Sequence, residues 1–575
     1  MTLVRGLRLW TAGAACLCLT TAGVQGRPQK EVKEITRIVY GDVFVEKPAE
    51  IVLKLNPVGL KVIGKNTLVT IPYVRSKALM KVHADTITTK RIEKDDFAET
   101  TLEGSVRFTV SQTQQSGTTR SLIGTAKSGV FSRATQKITL TGDVSATLTD
   151  GENLVEPAKF TASRIEVDMS VNPYRYTLIG GDDKHEFRIR PKDKSTGKRD
   201  PNKSSLVAGE IYVHDYDRVE LQSKSDMLFV GSRTVFELRE ADGDGYIRAH
   251  SPRIQAVFGG VNSELLRLEA SGGVQIHTEQ APKLASGKYG ITETIDGYTN
   301  SFVQDIKKRT LTFEGGIHIT LASPEKFAAP AEVVAERIIT DYIEGKQQRF
   351  QIYGNPATSK LTVHPNPIHL PITQPVNSVG APPAEEKPVS NFQWGALSFT
   401  RFAYGSWEVG KEAEVRGNRL LFESKNTETK AELRFLAQHI NVKFSSDSLV
   451  KSVVADGAVE YSVQVKPRGT KEGKDRQSQI VRGTTPRILF ANSKQGEDQT
   501  VEITGPFRME IVAPEKLLEP GIVEGKDGDS IRVRLIQDSY EFDILSPKET
   551  ATIRLLPLEL VDTESKDAPN KKRQP

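Results

Sequence analysis

The 575-residue chain holds two cysteines, three tryptophans and five methionines. Cys16 and Cys18 both fall in the first 26 residues, where Arg5 and Arg8 precede the short apolar run Leu9 to Thr21 and the small residues Ala22, Gly23 and Gly26. That order is the pattern of a secretory signal peptide, expected over 1–26. Its removal leaves a cysteine-free chain, which excludes disulfides, a thiolate nucleophile and cysteine-ligated metal. The segment carries two arginines and no acids, so the formal charge falls from +5 to 5 − 2 = +3. With 78 Lys+Arg against 73 Asp+Glu and no basic cluster, no nucleic-acid partner is expected. Beyond the signal no run nears the roughly 18 apolar residues of a membrane-spanning helix, so the exported chain is expected to be soluble.

Chemistry-bearing motifs are equally scarce. No Gly-x-Ser-x-Gly elbow occurs, and no Gly-Lys pair is followed by Ser or Thr, which removes the hydrolase-elbow and P-loop signatures. His185-Glu186 is followed by Ile189 where a zinc-protease helix needs its second His. Glu240-Ala-Asp-Gly-Asp-Gly-Tyr-Ile247 resembles half of a calcium loop, but Ser251 stands at the position of the bidentate Glu, so a hairpin turn is expected. The remaining histidines are scattered, and His277 and His318 alternate with apolar neighbours as solvated strand positions do. No catalytic residue, metal ligand or cofactor is assigned.

What the chain does have is alternation. Runs such as Val106-Arg-Phe-Thr-Val110 and Ile317-His-Ile-Thr-Leu321 keep the two-residue period of half-buried strands, and 45 glycines punctuate them. The best local helix candidate, Pro330 to Ile339, doubles as a strand. An all-β fold follows. Residues 365–388 hold seven prolines in 24 positions, which no sheet ladder sustains. The expected organisation is a β-repeat region over 27–364, a Pro-rich linker over 365–390, a second β region over 391–561 and a polar, disordered tail over 562–575 ending in Lys571-Lys-Arg-Gln-Pro575. Lys192 to Ser205 reads as an inserted surface loop.

An internal repeat organises both regions. Six glycines open the pattern Gly-x-apolar-x-apolar: Gly104 with Val106, Phe108 and Val110, Gly142 with Val144, Ala146 and Leu148, Gly272 with Val274 and Ile276, Gly315 with Ile317, Ile319 and Leu321, Gly457 with Val459, Tyr461 and Val463, and Gly505 with Phe507, Met509 and Ile511. Two residues before each glycine stands another apolar residue, Leu102, Leu140, Ala270, Phe313, Ala455 and Ile503 in turn. Each glycine thus sits in phase with the buried face of one long strand, where a missing side chain lets the strand bend sharply. An Ala-x-x-Ile element precedes many of these strands, at Ala84, Ala162, Ala208, Ala335 and Ala437, with looser versions at Ala126 and Ala249. Adjacent clear glycines lie 38, 43 and 48 residues apart, so a unit is two strands and two connections. Such a unit is unstable alone and buries a continuous interior when stacked.

The Ala-x-x-Ile strand followed by apolar-x-apolar-x-Gly-x-Val-x-apolar resembles the OstA-like repeat of the lipopolysaccharide-transport proteins A, C and D. Leu311-Thr-Phe-Glu-Gly-Gly-Ile-His-Ile319, Ile138-Thr-Leu-Thr-Gly-Asp-Val-Ser-Ala146 and Arg349-Phe-Gln-Ile-Tyr-Gly-Asn-Pro356 carry the likeness, and copies run over about half the chain. The chain is longer than a single-module protein A, lacks protein C's membrane helix and lacks the aromatic girdles of protein D's barrel. The resemblance implies an open jelly roll, a V-shaped stack of antiparallel strands, in a periplasmic protein associated with the outer membrane. It implies an apolar trough sheltering the acyl chains of lipopolysaccharide or a similar glycolipid, with other transport components docking end to end by strand addition. The in-phase residues named above, from Val106 to Ile511 and without Ala146, are sixteen and would make the acyl contacts. Two other classes remain open at this level: a closed structural or adhesive β-solenoid that binds proteins through strand edges, and a polysaccharide-degrading enzyme with paired carboxylates.

Overall fold

A computed structural model describes most residues between 37 and 557, apart from short turns and the segments 193–207, 282–290, 342–348, 366–393 and 466–477. The expected signal peptide, the linker, the terminal tail, most of the loop after Lys192 and positions 241–244 of the calcium-like loop lie outside the described residues. Within them the chain is all-β: 35 strands joined in one antiparallel sheet, with no helix. Pro330 to Ile339 falls inside the strand Phe327–Asp341. The sheet runs on across the Pro-rich segment, because Lys360–Pro365 pairs with Ala396–Thr400 and Arg349–Tyr353 pairs with Tyr404–Glu408.

The long strands are folded at mid-length, and the repeat glycines make the fold. In Asp96–Thr113, Glu103 pairs with Ser128 and Val106 with Ala126, so Gly104 and Ser105 together face the single residue Lys127. That is a bulge with one extra residue, and both residues on its longer side are left-handed, with φ of 75° and 47°. The same two-residue step recurs at Gly142-Asp143 (81° and 46°), Gly315-Gly316 (77° and 57°) and Gly457-Ala458 (82° and 48°). Sequence phase locates the first residue of each corner. It carries no sign that the second residue, where Ser, Asp or Ala has a Cβ, turns left-handed as well.

The Ala-x-x-Ile elements fill the corners of the intervening strands. Ala126, Ala162 and Ala437 are small, buried residues beside the register breaks. Where alanine is replaced, a hydroxyl takes its place. Ser251 Oγ lies 2.9 Å from the Ser271 carbonyl, Thr299 Oγ1 3.0 Å from that of Glu314, and Thr485 Oγ1 2.9 Å from that of Thr504. Each hydroxyl is within donating distance of a carbonyl next to a glycine corner and of the carbonyl two residues further along its own chain, those of Arg253, Ser301 and Arg487 in turn. Ala208 does not stand at a corner: it starts the strand Ala208–His214, and the break in that part of the chain falls at residues 215–217.

These corners divide the sheet into two rows of half-strands that face each other across an apolar interior. Residues 106–113, 144–150, 317–322 and 459–465 and the strand Phe507–Val512 belong to the first row. Residues 96–103, 137–141, 310–314 and 450–456 and the strand Gln499–Thr504 belong to the second. Between Ala158–Asp168 and Leu265–Gln280 the strands are broken at the corner, and ten strands close a ring of pairings through those two long strands. Inside the ring Phe187 meets Phe229 at 5.9 Å, and Phe229 meets Phe236 at 5.9 Å across the two rows. One core cluster extends from Val45 to Val533.

Candidate functional site

All sixteen in-phase residues point inward from the same row. Val106, Val274, Val459 and Met509 have no exposed surface, Phe108, Val110, Val144, Leu148, Ile276, Ile317, Ile319, Leu321, Tyr461, Val463 and Phe507 are buried, and Ile511 is half-buried against the same core. They form one wall of the interior. The facing wall comes from the second row, with Leu102, Leu140, Ala270, Phe313, Ala455 and Ile503 at its seam. Among the described residues, no backbone pairing joins the rows anywhere except along that seam.

Among the described residues, side chains meet across the mouth opposite the seam. Phe327 of the first row lies 5.6 Å from Trp407 of the second, which stacks on Phe350 at 5.3 Å. Trp394 precedes the first-row strand Ala396–Thr400, yet its ring meets Phe490 of the second row at 5.1 Å. It therefore crosses from one lip to the other. In the sequence Trp394 and Trp407 are simply two rare aromatics; their opposing rows emerge only from strand pairing.

Three glycines that the repeat does not flag act on strand curvature. Gly124, Gly297 and Gly483 each lie two residues before a corner. A Cβ there would meet a neighbouring carbonyl at 2.4, 2.7 and 2.2 Å, respectively. Phe108 and Tyr461 cover Gly124 and Gly483, an aromatic-over-glycine arrangement that supports a kinked strand.

The outer face is a ladder of cross-strand ion pairs. Arg482 donates to both carboxylate oxygens of Glu510 at 2.9 Å, Arg508 pairs with Glu524 at 2.9 Å, and Lys360 with Glu332 at 2.6 Å. An outer depression of about 440 Å³ includes Arg434, Arg482, Arg508 and Glu510, its last two arginines already engaged by carboxylates. Solvated pairs of this kind contribute about 0–1 kcal/mol each. No group of three or more His, Cys, Asp or Glu suited to a metal ion occurs among the described residues.

Histidines join the ladder where carboxylates flank them. His277 Nδ1 lies 2.6 Å from Asp296 and Nε2 3.0 Å from Glu279. Partial burial works against the charged ring, but the hydrogen bonds to Glu279 and Asp296 and their charges outweigh it, so its pKa lies above the usual histidine value. A raised folded-state pKa means that the contribution to stability is fully present below the unfolded value, about 6.5, and is lost as pH rises through the folded value. The expected result is that His277→Gln lowers the melting temperature more at pH 6 than at pH 9. Equal losses at both pH values would show that the ring contributes by packing alone.

No family model matches the chain, and no curated protein matches its sequence.

Proposed function

We propose that the chain is an exported carrier that shelters the acyl chains of lipopolysaccharide, or of a related amphipathic lipid, between its two walls. The reading rests on one observation: a continuous apolar interior whose walls, among the described residues, share backbone pairing only along the seam. Separating the lips would part side chains such as Trp394 and Phe490 without breaking a ladder bond. Each methylene taken from water would contribute about 0.8 kcal/mol, so acyl chains could stand in for the side-chain packing that opening disrupts. This use matches what the OstA-like resemblance implies: an opened jelly roll in the periplasm, with the sugar head left in water and other transport components added strand to strand at its ends.

The test is mass spectrometry of lipid extracted from the purified full chain, expressed in an envelope that makes lipopolysaccharide. Stoichiometric acylated glycolipid is expected, together with its loss from Ile319→Asp and Phe108→Asp proteins that keep their β-sheet circular dichroism. A lipid-free protein that takes up none of the lipopolysaccharide added to it would overturn the proposal.

A second reading has its own support. The strands Ser539–Leu545 and Thr552–Arg554 each pair on one side only among the described residues, and Leu545 and Ile553 are 65% and 54% exposed. Such an edge suits a protein partner added as a further strand. It becomes the better reading if the interior proves unable to take lipid.

A further inference from the structure

The outer face of the first row is hollowed where two neighbouring rungs of outward side chains cross four strands. One rung runs Arg434, Ser462, Arg482 and Glu510, and the next Leu436, Glu460, Thr484 and Arg508, in register throughout. In each rung a short hydroxyl residue stands among long ones, and Ser462 and Thr484 are diagonal neighbours on adjacent strands. They form the floor of the depression of about 440 Å³, and the long side chains form its walls. That volume falls within the range of about 300–1,000 Å³ usual for small-molecule sites.

The three arginines are held in place without being used up. Arg482 gives Nε and Nη2 to Glu510, both at 2.9 Å, and that carboxylate leaves Nη1 unengaged. Arg508 gives Nη1 to Glu524 at 2.9 Å, which leaves Nε and Nη2 outside the pair. Arg434 Nε lies 3.9 Å from Glu423, beyond hydrogen-bond reach. A carboxylate on one side fixes the guanidinium, so less freedom is lost when its other N–H groups take a ligand. With Glu460 and Glu510 in the lining, the charge of the depression is 3 − 2 = +1.

Arginines from three different strands surround the floor, an arrangement that suits the three oxygens of a phosphate better than the two of a carboxylate. An anion by itself would need nothing more. Here two hydroxyls, the Glu460 acceptor and the apolar Leu436 side chain line the same space. Donors for phosphate, acceptors for hydroxyl groups and an apolar side for the C–H face of a ring together describe a sugar phosphate.

We propose that this depression binds a phosphorylated sugar, with the phosphate among Arg434, Arg482 and Arg508 and the ring over Ser462 and Thr484. The site lies outside the apolar interior and does not rest on the carrier reading.

The experiment is titration calorimetry of the full chain with glucose 6-phosphate, glucose and inorganic phosphate. Glucose 6-phosphate should bind about tenfold tighter than either part alone, and Arg434→Gln should weaken it about tenfold, as loss of a charge-assisted hydrogen bond does. Ser462→Tyr, which fills the floor, should abolish binding. Its folding is checked by circular dichroism, and the exposed Arg434→Gln tests the proposal independently. Arg532→Gln removes an arginine of the same ladder that pairs with Glu502 outside the depression, and should leave binding unchanged. Lipopolysaccharide stripped of its acyl chains separates two sources of the ligand: tighter binding than glucose 6-phosphate assigns the site to a glycolipid head, weaker binding to a free saccharide. No binding of either sugar phosphate, inorganic phosphate binding as tightly as glucose 6-phosphate, or equal losses in Arg434→Gln and Arg532→Gln would each overturn the proposal. A chain that binds glucose 6-phosphate but takes up no lipid keeps this site and loses the carrier reading.

Discussion

Gly483→Ala should destabilise the fold by about 3 kcal/mol, more than most single substitutions do. The added methyl would lie 2.2 Å from the carbonyl oxygen of Arg508 and 2.6 Å from the hydroxyl of Tyr461. The tyrosine could move, but the carbonyl belongs to the ladder joining Gln479–Asn492 to Phe507–Val512, so relief requires the strands to part. Gly117→Ala is the control. Its φ is 87°, yet nothing lies within 4 Å of the added methyl, which leaves only the left-handed backbone penalty of about 1–2 kcal/mol. Removing the ring as well, in Gly483→Ala with Tyr461→Ala, should not rescue stability, because the carbonyl clash persists. Chemical denaturation followed by circular dichroism checks the series. A Gly483→Ala protein within about 0.5 kcal/mol of wild type would show that the kink yields readily.

Trp407→Ala should cost about 3–5 kcal/mol and should uncouple the two ends of the sheet. Trp407 has no exposed surface, stacks on Phe350 at 5.3 Å and meets Phe327 at 5.6 Å. Both partners precede the Pro-rich segment and Trp407 follows it, so this sandwich packs residues before 366 onto residues after 393. In a stacked repeat each unit is stabilised chiefly by its neighbours, so weakening one interface splits a shared transition. Hydrogen exchange should show joint opening of the two sides in the wild-type chain and earlier opening of one side in the variant. Independent exchange in the wild type would sink the prediction. Trp407→Phe should cost much less than Trp407→Ala, since the indole nitrogen has no hydrogen-bond partner to lose.

Both predictions fall on residues that sequence patterning ranks poorly. Gly483 carries no repeat signature, because what forbids its side chain is a carbonyl in another strand, 25 residues along the chain. Trp407 is one tryptophan beside many apolar positions, and its opposing wall is supplied by residues on the far side of a Pro-rich stretch. Ser462 and Thr484 look like ordinary polar strand residues until the register sets them diagonally among long side chains. Ala208 is the converse case: it repeats the local spelling of a corner and stands at a strand start, because the break in that segment is set at residues 215–217.

The all-β class, the two-strand unit and the bend at each repeat glycine are written in the chain itself. These are local properties: a two-residue period fixes which side chains share a face, and glycine enters the left-handed region at the first residue of each bend without steric cost. The same period places sixteen residues on one face of the strands. Register and packing add the rest: that this face is one wall of a pair, that ten strands close a ring, that hydroxyls reach the corner carbonyls and that Trp394 spans the mouth. Each of those depends on which strands become neighbours and on what meets across the interior, and pairing distances of tens of residues leave no periodic trace along the chain.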